Sequence, residues 1–277
     1  MMEPYISQNS KQFFAFNVWS IEAAKAVMDG AARMECDVIL QTSMKAFKQL
    51  DKEEIRTFVN RYMERKKIHA YLHLDHCREV DFIKEAINYG WDSVMIDASD
   101  KTLNDNIQIT NDICKMAHKQ KILVEAEVGR IPGSEDGVGG TEAGIARIED
   151  IQCFVRNTNV DILAAAVGTA HGFYKGMPRI HYDLIERISR ITAIPLAVHG
   201  GSGLTEEMLL KILSYKNVKK INVSTEVKLA YRQGIEECIQ KECTDRGAFD
   251  PLEVERRIHD SVEYMTVNKL KLLKRAE

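Results

Sequence analysis

The stretch AYLHLDHC, Ala70 to Cys77, sets His73, Asp75 and His76 into an otherwise apolar run. Imidazoles and a carboxylate so placed can hold a metal ion or carry a proton. Alternate residues of a strand face opposite sides, so His73 and Asp75 are expected to share one face and His76 to take the other. Five later runs end in the same manner. SVMIDAS carries Asp97, LVEAEVG carries Glu125 and Glu127, and ILAAAVG leads into GTAHG with His171. PLAVHG ends in His199, and KKINVST closes with Asn222 and Thr225. Their middles are apolar, and chance placement of charge would not favour one end.

Three histidines, His76, His171 and His199, at matching run ends form the donor set of a catalytic zinc site. Three imidazoles leave one coordination position for substrate or water, and a borderline metal suits them better than magnesium or calcium. A lone histidine is more often a hydrogen-bonded core residue. His69, His73, His118, His181 and His259 lack the pattern and are expected to be structural or on the surface. VHGGSGL and KINVST bring Gly200, Gly201, Ser202 and a threonine to the last two run ends. Alone, GGSG reads as a tight turn. Beside a metal site it favours phosphate held by backbone N–H groups and a helix N-terminus.

Something must carry these ends to one place. Eight short β-rich runs, from FFAFNVW to KKINVST, alternate with amphipathic helical patterns such as SIEAAKAVMDGAARM and DKEEIRTFVNRYMERK. Ser20, Asp51 and Thr205 are placed to cap helices. Eight strand–helix units in 277 residues predict one (β/α)8 TIM barrel over 1–277, with the barrel at about 13–242 and a helical tail at about 247–277. An open doubly wound sheet is the alternative, but FNVWS lacks a GxGxxG turn. The glycine-rich loop from Gly129 to Gly144 is long enough to act as a lid.

The bulk composition adds limits. At 45% hydrophobic and 29% charged residues the chain can bury a large core. A net charge of −3 gives no sign of nucleic acid or a membrane surface as partner. There is no signal-like N-terminus, and no run approaches the ~18 apolar residues of a membrane span. Six cysteines without a CxxC pair suggest a reduced, cytoplasmic protein.

HLDH, EAEVG, GTAHGFYKG, VHGGSGL and KINVSTE, in this order, resemble the class II, metal-dependent fructose/tagatose-bisphosphate aldolases. The likeness runs from AFNVWSIE to about Glu226, and more loosely to the end. It implies a zinc ion on His76, His171 and His199, with Asp75 as acid/base at the substrate's C4 oxygen. Asp97 and Glu127 match an alternative or resting metal position, and Glu125 is a supporting residue. A second metal or a monovalent cation site is a further possibility that the resemblance implies. Asn17, Ser43, Gly172, Lys175, Gly200, Gly201, Ser202, Asn222, Val223, Ser224 and Thr225 match substrate-binding segments that grip dihydroxyacetone phosphate. Glu135, on the long loop, matches the glutamate that moves the C3 proton. The implied reaction cleaves a ketose 1-phosphate or 1,6-bisphosphate in carbohydrate metabolism such as glycolysis, in a homodimer or homotetramer.

Aldol cleavage leaves a carbanion beside a ketone, which a Lewis-acidic metal stabilises. The other route uses a lysine Schiff base. No strand interior is expected to offer one, because Lys219 and Lys220 stand at the start of the eighth strand, the wrong end. The chain departs from its relatives at Met44 and Lys45, Cys77, Ala98 and Leu252. Leu252 follows Asp-Pro where relatives have arginine, so Lys45, Arg256 and Arg257 are the remaining sources of charge for a second phosphate. An aldehyde half without phosphate is therefore an alternative. A metal-dependent barrel hydrolase would usually open with HxH, absent from FFAFNVW, and an inactive sugar-phosphate-binding subunit would have no need of the full set.

Overall fold

The computed structural model describes residues 4–135, 138–140, 144–174, 176–244 and 250–276, with side chains for all of these except 134, 135, 138–140 and 241–244. The first strands and helices are β1 (Phe13–Asn17), α1 (Ile21–Met34), β2 (Val38–Ser43), α2 (Met44–Gln49), α3 (Lys52–Lys66), β3 (Ala70–Cys77), α4 (Val80–Asn88), β4 (Ser93–Ile96), α5 (Leu103–Ala117) and β5 (Leu123–Val128). A hairpin of β6 (Gly133–Glu135) and β7 (Val138–Gly140) follows. The chain continues through α6 (Ile148–Asn157), β8 (Ile162–Ala165), α7 (Tyr182–Ile191), β9 (Leu196–Val198), α8 (Glu206–Leu213), β10 (Val218–Val223), α9 (Thr225–Thr244) and α10 (Pro251–Ala276). Eight strands, all parallel, close in the order β1-β10-β9-β8-β5-β4-β3-β2. This is the TIM barrel, and closure rules out the open sheet.

Local chemistry sets the helix ends. Ser20, Asp51 and Thr205 each accept a hydrogen bond from a first-turn amide, those of Ala23, Glu54 and Met208, satisfying donors that the helix cannot. α1 and α3 stop at Glu35 and Lys67, both left-handed. The tail expected past Gly247 contains the single long helix α10, packed against α1, α8 and α9.

The larger apolar core lies between strands and helices. It includes Phe14, Phe16, Leu40, Leu72, Val124 and Leu163 on the strands' outer faces. Inside the barrel the period of two selects another set. Phe13, Ile39, Leu123 and Ile162 fill its lower end with Ile6, while Ala15, Ala164 and Ala197 are small. The space those alanines leave takes His73, Glu125 and Lys220, all fully or almost fully buried. Lys220 thus corrects the sequence expectation. It does lie inside the barrel, with Nζ 2.8 Å from Glu125 Oε2. Strands in a barrel are staggered, so rank along a strand does not give height along the axis. β10 pairs Lys220 with Phe13 of β1 and Ala197 of β9.

Candidate metal centre and active site

His76 does not take the face that simple alternation assigns it. Its φ is +46°, and the β3–β4 register shifts between Leu74 and Cys77. This bulge turns His76 into the barrel mouth beside Asp75, the kind of re-aiming that bulges produce. Cys77 is left buried, its thiol pushed up to about 12 by burial. His171 comes from the loop after β8, and His199 directly follows β9. Tyr174 clasps these two loops. Its hydroxyl donates to Gly200 O at 2.7 Å and accepts from Ala170 N at 3.1 Å.

The three imidazoles are buried, and the ring centroid of His76 lies 4.7 Å from His171 and 4.6 Å from His199. One donor atom from each falls within 4.8 Å of the others, a spacing that could hold a metal ion. His76 Nε2 and His199 Nδ1 stand 2.7 Å apart. The opposite nitrogens are backed by carboxylates, as is usual for metal-binding histidines. His199 Nε2 donates to Glu125 Oε1 at 2.7 Å, which leaves Nδ1 as the acceptor facing His76 Nε2 and Asn222 Nδ2. His76 Nδ1 faces Asp97 Oδ2 at 3.4 Å. A second group, His76, Asp97 and Glu127, shares His76 with the first.

The electrostatics follow from this arrangement. Burial opposes a charged His76, but Asp75, Asp97 and Glu127 outweigh it and push the imidazole up to about 10. Burial also opposes ionisation of Asp97, yet His76, Ser99 and Arg78 hold its carboxyl well below the usual range. Glu125 is likewise held down, against burial, by Lys220 and His199. Glu127 has less compensation, and burial pushes it up to about 8. Burial lowers His199, and with Lys220 it lowers His73 further.

Asp75, only 1% exposed, accepts from Gln41 Nε2 and Asn222 Nδ2, each at 3.3 Å. Gln41 also donates to Asn17 Oδ1. Ser43 pairs with Asp75 across β2–β3 and caps α2 through Ala46 N. At the next mouth segment Ser202 Oγ accepts from Ser224 N and Glu226 N, tying the β9 loop to the start of α9. Val223 ends β10 and Thr225 opens α9. Gly200 has φ +69°, and a Cβ there would lie 2.4 Å from Ala170 O, so its glycine serves close loop packing as well as any anion. Gly172, φ +87°, borders His171. Lys175 lies outside the described residues, and Glu135 is described as backbone on β6 but not as a side chain.

Several buried polar atoms at this mouth lack a hydrogen-bond partner among the described residues: Asn17 Nδ2, Gln41 Oε1, Glu127 Oε2, Asn222 Oδ1 and Ser224 Oγ. Buried groups seldom stay unpaired, and their grouping beside three convergent imidazoles fits a polar ligand and a cation. The expected distal charges are placed differently. Lys45 is exposed on α2. Arg256 pairs with Glu253 and Asp260, and Arg257 with Glu253 and Glu237. Leu252 is 73% exposed.

Sequence reasoning missed Gln41, Arg78 and Tyr174. Gln41 had a signal, since it is two residues from inward-facing Ile39 on the same strand. Tyr174 had none, because a loop residue has no periodicity. Arg78 extends from the turn after the bulge, donating Nε and Nη2 to Asp97 Oδ2 at 3.2 and 3.1 Å.

Known proteins are similar to this chain in sequence and in fold. The family model described as "Fructose-bisphosphate aldolase class-II" matches residues 4–277. A fructose-bisphosphate aldolase of Geobacillus stearothermophilus is 32% identical over 259 residues, covering 92% of this chain and 89% of that one. A 6-phospho-5-dehydro-2-deoxy-D-gluconate aldolase of Bacillus velezensis is 36% identical over 248 residues, 87% and 84% of the two chains. The crystal structure of the YdjI aldolase from Escherichia coli K12 superposes with a TM-score of 0.80 at 25% identity, over 96% of this chain and 94% of that one.

Proposed function

This chain belongs to the class II fructose-bisphosphate aldolase family, and we propose that it reversibly cleaves a ketose 1-phosphate or 1,6-bisphosphate to dihydroxyacetone phosphate and an aldehyde. Membership makes it an enzyme, a carbon–carbon lyase of a family that uses a divalent metal. The observation that carries the finer reading is the convergence of His76, His171 and His199 from the C-terminal ends of β3, β8 and β9 and the segments that follow them, beside a buried Asp75.

In this reading His76, His171 and His199 hold zinc. All three donors are nitrogens, and the set is closed on one side by carboxylates. When bound, the ion supplies Lewis-acid stabilisation of the negative charge that develops on the substrate's ketone oxygen. Asp75 removes the C4 hydroxyl proton in cleavage and returns it in condensation. Gln41 and Asn222 aim its carboxylate through the hydrogen bonds described. Glu135, on the β6–β7 hairpin, transfers the C3 proton. The phosphate sits against Gly172, Lys175, Gly200, Gly201 and Ser202 and the start of α9, where a twenty-residue helix offers its positive end. Ser224 Oγ supplies a further donor there, and Asn17 and Ser43 stand at the ends of the adjoining strands β1 and β2.

The aldehyde half is the open variable. Of the aldolases compared above, the Geobacillus stearothermophilus one carries in its name a second phosphate and the Bacillus velezensis one a gluconate carboxylate. Arg256 and Arg257 are engaged with acids of α9 and α10, which favours an aldehyde half without phosphate as the second reading. A cytoplasmic homo-oligomer completes the proposal. Its support is the family likeness, and among the described residues no helix is long and apolar enough to cross a membrane.

The test is the half-reaction. Dihydroxyacetone phosphate is incubated with the protein in heavy water, with and without a chelator, and its C3 hydrogens are followed by proton NMR. Stereospecific exchange that the chelator abolishes is expected. Absence of exchange in the zinc-loaded protein overturns dihydroxyacetone phosphate as the donor.

A further inference from the structure

The proposed reaction gives His73 no task, yet this residue stands on β3 two places before Asp75 and on the same face. It is fully buried, and its Nε2 lacks a hydrogen-bond partner among the described residues. Two carboxylate oxygens flank that nitrogen, Glu125 Oε2 at 3.7 Å and Asp75 Oδ1 at 3.9 Å. The other nitrogen, Nδ1, lies 2.7 Å from Ser93 Oγ. Ser93 Oγ in turn lies 2.5 Å from the hydroxyl of Tyr5, which packs at the lower end of the barrel.

These contacts decide which nitrogen carries the proton. Burial and Lys220 hold the ring well below its ordinary value, so it is neutral and has one N–H. A lone pair on Nε2 would face two carboxylates. With the proton on Nε2 every group finds a partner: Tyr5 donates to Ser93, Ser93 donates to Nδ1, and Nε2–H points between the acids. Glu125 is already engaged at both oxygens, by His199 Nε2 at 2.7 Å and Lys220 Nζ at 2.8 Å. Asp75 is held only by two amides at 3.3 Å, and it is the carboxylate with room to accept.

We infer that His73 is a positioning residue for Asp75: the Tyr5–Ser93 string fixes its proton on Nε2, and that N–H steadies the carboxylate while it takes and returns the C4 proton. The inference rests on the role proposed for Asp75 above. Hydrogen bonds in substrate-free sites are often long and tighten once substrate is bound. His73 keeps its own proton throughout.

The two halves of the reaction separate this role from a structural one. Dihydroxyacetone phosphate alone has no C4, so its C3 exchange does not call on Asp75. The experiment measures that exchange in heavy water and, beside it, condensation with glyceraldehyde 3-phosphate or glyceraldehyde, whichever the metal-loaded wild type accepts. His73→Asn keeps a group for Ser93 but none near Asp75. It is expected to lower the kcat of condensation at least about tenfold, with exchange, KM and metal content near wild type. His73→Gln, whose amide reaches the position of Nε2, is expected to recover most of that loss. Equal loss of exchange and condensation, no loss in His73→Asn, or no recovery in His73→Gln overturns the inference. Long-range proton–nitrogen correlation NMR on histidine-labelled wild type needs no variant of His73. It is expected to show a protonated Nε2, in the signal that shifts in Tyr5→Phe, and an Nδ1–H ring there overturns the inference. A wild type that neither exchanges nor condenses removes the aldolase reading and the inference with it, whereas failure confined to the His73 tests leaves that reading standing.

Discussion

The two ends of the barrel interior are built from the same strands and differ by one or two steps along each. At the lower end Phe13, Ile39, Leu123 and Ile162 pack with Ile6, and Tyr5 stacks on Tyr71 with ring centroids 4.0 Å apart. One layer higher stand Gln41 of β2, His73 of β3, Glu125 of β5 and Lys220 of β10, and above these Asp75, Asp97, Glu127, His199 and Asn222. The lower end gains stability from apolar burial. The upper end costs stability, since buried ionisable groups are unfavourable unless paired. Pairing is therefore dense there, and it joins the two ends. Tyr5 OH meets Ser93 Oγ at 2.5 Å, which meets His73 Nδ1 at 2.7 Å. One end holds the barrel shut, and the other holds charges where water would otherwise scatter them.

The contrast should appear most strongly in Asp75→Asn. Loss of the proposed acid/base group is expected to lower kcat by about 10²–10⁴-fold while metal content and thermal midpoint stay near wild type. Steady-state rates with metal analysis check this, and a loss below tenfold would remove Asp75 from the reaction. The opposite pattern is expected at the lower end. Phe13→Ala should cost about 3–5 kcal/mol of stability in chemical denaturation, with kcat per folded molecule unchanged.

A smaller effect concerns pH in the metal-free protein. His76 and Glu127 are both raised when folded, to about 10 and about 8. A raised group contributes stability below its unfolded value and loses that contribution as pH climbs to the folded one. The lowered carboxylates Asp97 and Glu125 give a constant contribution above pH ~5, and the lowered histidines His73 and His199 add nothing above pH ~7. Between pH ~7 and ~9 the thermal midpoint of chelator-treated protein should therefore fall by a few degrees. A midpoint that rises over this range would show that the two groups are not coupled as described. Smallest of all, Tyr174→Phe removes the hydroxyl between Ala170 and Gly200 and should cost about 1 kcal/mol, with a few-fold weaker metal affinity in chelator competition.

Much of this molecule could be read before its coordinates were known. Ser20, Asp51 and Thr205 mark helix starts because capping is local chemistry. His171, His199 and Asp97 are found at strand ends because a parallel barrel sends every such end to one face. What stayed hidden depends on relations between strands. The side taken by His76 rests on a bulge against β4, and the depth of Lys220 rests on the stagger of β10 against β1 and β9. Arg78 looks like any surface arginine until Asp97, nineteen positions later, is folded against it.

The hairpin after β5 begins where His171 is anchored. His171 N donates to Pro132 O at 2.8 Å, and at Gly133, φ +97°, a Cβ would stand 2.2 Å from His171 O. No other residue type fits that contact without moving the histidine's main chain. For protein engineering this makes the hairpin and His171 a single cassette. A graft that exchanges the hairpin between relatives has to bring Pro132 and Gly133 with it, or the new loop will push the main chain of His171 out of place.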